Sequence, residues 1–116
     1  MYLLRRVAKA ERGKAWDVAN LMTKICASYE ENGRSKAQVF VTQGLPGTPD
    51  MVYAEWTQEA IEPNWPSRVP EAVRTLNREM FPMLAEPWSL EFFEVVTPQK
   101  LEERNLHYPD QTRNCF

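Results

Sequence analysis

Two adjacent arginines, Arg5 and Arg6, are the residues of this 116-residue chain with the clearest capacity for chemistry. They sit in Tyr2–Lys9, which reads as a strand, and successive strand side chains point to opposite faces. If that strand is central, at least one guanidinium is partly buried and needs a carboxylate partner. Glu55 on a neighbouring strand can supply it, as can Glu91 and Glu94 on a later one. Such a pair is a structural ion pair or, alternatively, an anchor for an anionic or carboxylate group of a ligand. Glu55 can also be read as a general base whose pKa burial would raise, although it has no located partner.

The remaining reactive side chains have bland readings close at hand. Cys26 lies on an apolar helical stripe and reads as a small core residue, with no histidine placed by sequence to activate it. The single histidine, His107, falls in a polar tail, as does Cys115. Trp56 and Tyr53 belong to a half-buried strand, where large aromatics are ordinary core and can equally line a pocket. Trp16 and Trp88 offer the same choice, and Trp65 either covers a cavity or anchors its loop. Met22, Met80 and Met83 suit a core or an adaptable apolar pocket. P-loop, GxGxxG, HExxH and CxxC patterns do not occur, so nucleotide, metalloprotease and thiol-redox readings have no local support and neither metal nor cofactor is expected.

The elements that must position these residues centre on a hairpin. Val39, Phe40 and Val41 precede the turn-forming stretch Gly44–Asp50, and Met51, Val52, Tyr53, Ala54 and Trp56 resume the apolar pattern. Before it, Ala15, Val18, Ala19, Met22, Ile25, Cys26 and Tyr29 share one face of a helix over residues 14–31. Gly13 is expected to cap that helix and Asn32-Gly33 to end it. After it, residues 59–70, with three prolines, read as an irregular connection. Val69, Ala72, Val73, Leu76, Met80 and Met83 then form a second helical stripe over about residues 67–81, with Ser67 or a neighbour as cap and Pro82 as stop. Trp88–Val96 reads as a fourth strand.

The resulting order is the split β-α-β-β-α-β of a ferredoxin-like α+β sandwich over residues 1–97: a four-stranded antiparallel sheet with two helices on one face. Residues 98–116 read as an extension that packs on this domain or on a partner subunit. Strand alternation makes both sheet faces apolar. Two helices cover only one of them, so the other is expected to meet a second copy in a two-fold homodimer.

Composition narrows the classes further. The chain is 43% hydrophobic and 26% charged with net charge −2, and no apolar run approaches the roughly 18 residues of a membrane span. Residues 1–58 hold 8 basic and 6 acidic groups, and residues 59–116 hold 6 and 10. The basic residues are scattered and matched by carboxylates, which disfavours nucleic acid as a partner. The amino-terminal Met-Tyr-Leu-Leu-Arg-Arg lacks the apolar core of a signal peptide, and two separated cysteines make no disulfide framework, so a cytoplasmic location is expected.

With its element order, the Arg12-Gly13-Lys14 that opens the first helix and the Tyr53-Ala-Glu-Trp56 of the third strand, the chain resembles the dimeric α+β barrel superfamily over residues 2–96. That superfamily includes the antibiotic-biosynthesis monooxygenase-like and NIPSNAP-like families. The resemblance implies a barrel made by two sheets and, in many members, a small-molecule pocket between sheet and helices, bordered by a tryptophan near the position of Trp56. Haem-degrading members use a histidine on the second helix, and this chain has none there. The expected function is to bind a small apolar or aromatic molecule, lined by some of Trp16, Met22, Tyr53, Trp56, Leu76, Met80 and Phe92, with Arg6 and Glu55 as polar candidates. The alternatives are a cofactor-independent monooxygenase using Tyr53, Glu55, Trp56 or Arg6, and a structural dimer with no ligand.

Overall fold

Alternating apolar residues place Tyr2–Lys9 at the centre of the sheet as strand β1, with antiparallel partners on both sides. The computed structural model describes residues 1–60 and 69–106; Trp65, Ser67, His107 and Cys115 lie outside them. Helix α1 is Ala15–Glu31, β2 is Gln38–Val41 and β3 is Met51–Gln58. Helix α2 is Glu71–Met80, followed by the short turn Phe81–Met83, then β4 at Ser89–Glu94 and α3 at Pro98–Glu103. Sheet order is β2-β3-β1-β4, with every pairing antiparallel, which is the ferredoxin-like arrangement. No helix among the described residues is long and apolar enough to cross a membrane.

Register settles the two faces. Leu4 pairs with Trp56 and Phe92, and Arg6 with Ala54 and Leu90, so these side chains share the helix side. Leu3 pairs with Thr57 and Phe93, Arg5 with Glu55 and Glu91, and Phe40 with Tyr53, so these share the open side. The core fills the helix side: Leu4, Ala8, Val52, Ala54 and Trp56 of the sheet meet Val18, Met22 and Ile25 of α1 and Val73 and Met80 of α2. All seven positions of the stripe predicted for α1 face inward, six of them buried and Tyr29 partly so.

Element ends differ from expectation by a few residues. Lys14 is the N-cap of α1, while Gly13 stands one residue earlier at φ +80 and turns the chain into the helix. Helix α2 starts at Glu71 because Pro70, at φ −57 and ψ 144, holds an extended conformation as its N-cap. Its far end is tied to β1: the Ala85 amide donates to Lys9 O and the Glu11 amide to Met83 O, both at 2.8 Å. The hairpin loop closes on Thr42, whose Oγ1 donates to Thr48 O at 2.8 Å and accepts from the Met51 amide at 3.1 Å.

The carboxyl end of α1 follows one well-defined capping pattern. The Gly33 amide donates to Glu30 O at 3.1 Å, and the Arg34 amide reaches back to Tyr29 O at 3.1 Å. This pair of bonds is the Schellman motif, and it needs a residue at positive φ, supplied by Gly33 at +98. The same motif brings the residue after the glycine over the helix position five residues earlier. Arg34 accordingly lies over the Tyr29 ring, 3.6 Å from its centroid.

Candidate functional site

Because β1 alternates, Arg5 and Arg6 point to opposite sides and meet different chemistry. On the open side, Arg5 Nε and Nη2 each lie 2.8 Å from Glu55 Oε1, and Nη1 lies 3.8 Å from Glu91 Oε1. Tyr53 and Phe93 flank the same guanidinium, with centroids at 5.6 and 5.2 Å. The expected carboxylate pairing is therefore found at Arg5. Since these groups retain a quarter or more of their side-chain exposure, the pair contributes on the order of 1 kcal/mol or less.

Among the described residues Arg6 has no such partner. It is 6% exposed, its Nη2 donates to Asn77 Oδ1 at 2.6 Å, and its guanidinium stacks on the Trp88 ring at 4.0 Å. Its Nε is buried without any hydrogen-bond partner among the described residues. The expectation that a buried guanidinium would find a carboxylate fails here, because Glu55 and Glu91 share the other face with Arg5. An aromatic face and a neutral amide stand in its place. Burial pushes the Arg6 pKa down to about 10, so the group remains charged at neutral pH. Leaving a buried charge without an opposite one costs several kcal/mol, of which a stacked indole returns about 1–2.

A second cation lies in the same layer, beside the carboxyl end of α1. Arg34, half-buried, lies between Tyr29 and Trp56, 4.4 Å from the Trp56 centroid. Its pKa is lowered chiefly by burial, and it helps lower that of Arg6. Among the described residues it makes no ion pair; the nearby Glu30 spends Oε1 on the Ala37 amide at 3.0 Å. Cys26 lies near both cations, but its thiol pKa is raised, by burial first and then by Glu30, which keeps it protonated and core-like.

Trp88, Leu90 and Phe92 complete this side of the sheet. They are 42%, 38% and 49% exposed, although Leu90 and Phe92 pair with Arg6 and Leu4 on the helix side and Trp88 stacks on Arg6. The helices cover β2, β3 and β1, leaving β4 bare beside α2. The result is an apolar shelf that runs directly onto a buried guanidinium.

Set against this geometry, the residues singled out from sequence divide into groups. Arg6, Trp56 and Phe92 lie on the helix side of the sheet, with Met22 and Met80 fully buried between the layers and Leu76 half-buried on α2. Tyr53 and Glu55 lie on the open side, so they do not join Arg6. Glu55 instead borders a groove of about 290 Å³ with Leu3, Lys36, Ala37, Gln38 and Thr57, which Trp56 also lines. Trp16 is 72% exposed on the outer side of α1 and joins neither group. Sequence reading passed over Arg34, Tyr29, Asn77 and Trp88 as members of one site. Two of them carry legible signals: Asn77 interrupts the apolar stripe of α2 between Leu76 and Met80, and Arg34 follows a glycine that ends a helix. Among the described residues no group of three or more His, Cys, Asp or Glu side chains is placed to hold a metal ion.

No protein-family model matches the sequence, and no curated protein matches it significantly. Solved structures do match the fold. One is an antibiotic biosynthesis monooxygenase, with TM-score 0.60 and 11% identity over 84% of this chain and 100% of the other. Another is an uncharacterized NIPSNAP domain protein from Burkholderia xenovorans, with TM-score 0.62 and 11% identity over 83% and 95%. A third is a NIPSNAP family protein from Agrobacterium tumefaciens, with TM-score 0.61 and 13% identity over 82% and 92%. The chain therefore has the α+β fold of antibiotic-biosynthesis-monooxygenase-like and NIPSNAP-like proteins. At such identities the likeness is one of fold, which hosts more than one function.

Proposed function

From the fold shared with these structures, we propose that the chain acts as a cytoplasmic homodimer that binds a small, largely apolar or aromatic molecule between the helices and the sheet of each subunit. The observation that carries the binding reading is the shelf of Trp88, Leu90 and Phe92 ending at Arg6. Apolar walls with a few convergent polar groups are the usual make-up of a small-molecule site. The shelf is only three side chains long, which suits a small molecule better than a protein partner. Helix α3, in the described part of the carboxyl-terminal segment, places Lys100 3.7 Å from Glu94 at the end of β4.

The dimer reading rests on the open side, where Leu3, Val7, Tyr53, Phe40 and Phe93 surround Arg5 and its carboxylates. Four strands about 4.8 Å apart and of 8, 4, 8 and 6 residues make a face of several hundred Å², at the upper end of what monomers leave bare. The face carries both signs, so across a two-fold axis a second copy can set opposite charges against each other.

Native mass spectrometry of the purified protein tests both parts. The expected result is a dimer that carries, or takes up from a set of aromatic compounds, one small molecule per subunit. A monomer overturns the sheet pairing, and a dimer that accepts none of the compounds overturns the ligand reading. Cofactor-independent oxygenation is a second reading, favoured by the charge of Arg6, since a buried cation can stabilise a substrate anion able to give electrons to oxygen. Oxygen uptake on adding the identified ligand separates the two.

A further inference from the structure

Arg6 and Arg34 bring two positive charges into the layer between helices and sheet without an anion among the described residues to meet them. We propose that the missing anion is the ligand's own: Arg6 and Arg34 form a carboxylate-binding end of the helix–sheet site, and the molecule it takes is an aromatic carboxylate. This rests on the ligand reading above and narrows it to one chemical class.

Three observations converge on this. The Arg6 Nε is a strong donor in a residue only 6% exposed, and it has no partner among the described residues while Nη2 is used. Buried donors in native proteins are nearly always satisfied, so this one lacks an acceptor that no described residue supplies. Both guanidiniums are stacked on aromatic faces: Arg6 on Trp88, Arg34 on Tyr29 and Trp56. The guanidinium is planar by its own delocalisation, and stacking through its face leaves in-plane N–H groups, apart from the Arg6 Nη2 bond to Asn77, for an acceptor such as a carboxylate. Finally, the exposed part of the site is apolar and aromatic, formed by Trp88, Leu90 and Phe92, and it leads to the cation rather than away from it. A flat ring on that shelf would direct an attached carboxylate at Arg6.

Purely structural compensation is the competing account. Asn77 supplies one acceptor and Trp88 one ring face, and Cys26 and Tyr29 bring the carboxyl end of α1 near both cations, where helix carbonyls favour positive charge. That account explains why the fold tolerates the charges but leaves Nε unmet.

Isothermal titration calorimetry on the intact protein with naphthoate and with its neutral amide, naphthamide, decides between them. The expected result is that naphthoate binds at least tenfold more tightly than naphthamide, and that Arg6→Gln removes this preference. Arg34→Gln, at a less buried position, provides the second variant and is expected to reduce the preference severalfold should Arg6→Gln fail to fold. Equal binding of acid and amide to the wild type overturns the carboxylate inference while leaving the pocket reading standing. Binding of the acid that neither substitution affects overturns the assignment to these arginines. Failure of both probes to bind counts against the pocket reading, and the inference falls with it.

Discussion

Arg5 and Arg6 differ by one position and by several kcal/mol of expected electrostatic circumstance. Arg5 has two carboxylates and partial solvent, and Arg6 has an amide, an indole and no charge of opposite sign among the described residues. In the folded state its pKa of about 10 lies below the ordinary guanidinium value, so folding disfavours the charged form. That cost is fully present below pH 10 and eases only as pH rises past it; the group therefore adds no pH dependence to stability near neutrality. Replacing a buried, uncompensated cation by an apolar side chain of similar length is neutral or stabilising in many proteins. Arg6→Met in ligand-free protein is expected to leave stability unchanged or raise it by about 1–2 kcal/mol. Urea denaturation measures this directly, and a loss of more than about 2 kcal/mol would show that Arg6 is structural.

At the scale of elements, the end of α1 has consequences beyond stopping a helix. Gly33 at φ +98 allows the capping bonds that lay Arg34 across Tyr29, and from there Arg34 reaches Trp56 on β3. A Cβ added at Gly33 would meet nothing within 4 Å, so the penalty for alanine there is one of backbone conformation alone. Gly33→Ala is expected to cost about 1–2 kcal/mol, the penalty for an L-residue held at positive φ. If Arg34 depends on this turn, its stacked ring partners will also report the change. Tyr29 and Trp56 side-chain resonances should shift in Gly33→Ala more than those of the distant Trp16. Unperturbed resonances would mean that Arg34 finds its place without the capping motif.

For the whole molecule, the decisive feature is a sheet covered on one side. The open face places Arg5 between Glu55 and Glu91, so Arg5→Glu would set three carboxylates in one cross-strand row. Like charges directly opposite one another are destabilising, and across a two-fold interface the repulsion is doubled. Arg5 is partly exposed and lies outside the core, so the subunit fold is expected to survive the substitution. Sedimentation of Arg5→Glu is therefore expected to show association weakened by at least tenfold, with unchanged far-ultraviolet circular dichroism. A dimer of unaltered strength would place the contact elsewhere than the open face.

Periodicity alone determined most of the fold. The span of β1, the inward stripe of α1, the two strands of the hairpin and the opposite directions of Arg5 and Arg6 all follow from repeats of 2.0 and 3.6 residues, which are local properties of the backbone. Helix and strand ends moved by a few residues because Pro70 and Gly13 act through specific dihedral angles that periodicity does not encode. The candidate site was legible only in part. Arg6, Trp56 and Phe92 were visible as polar or aromatic residues on strands, yet Tyr53 and Glu55 were grouped with them although alternation puts those two on the other face. Only the tertiary structure decided which carboxylates reach which arginine, because cross-strand register brings together residues such as Arg5, Glu55 and Glu91 that are far apart in the chain. It alone also brought Arg34, Asn77 and Trp88 to Arg6 and Trp56, since those contacts depend on how a helix end, a second helix and an edge strand converge above one row of the sheet.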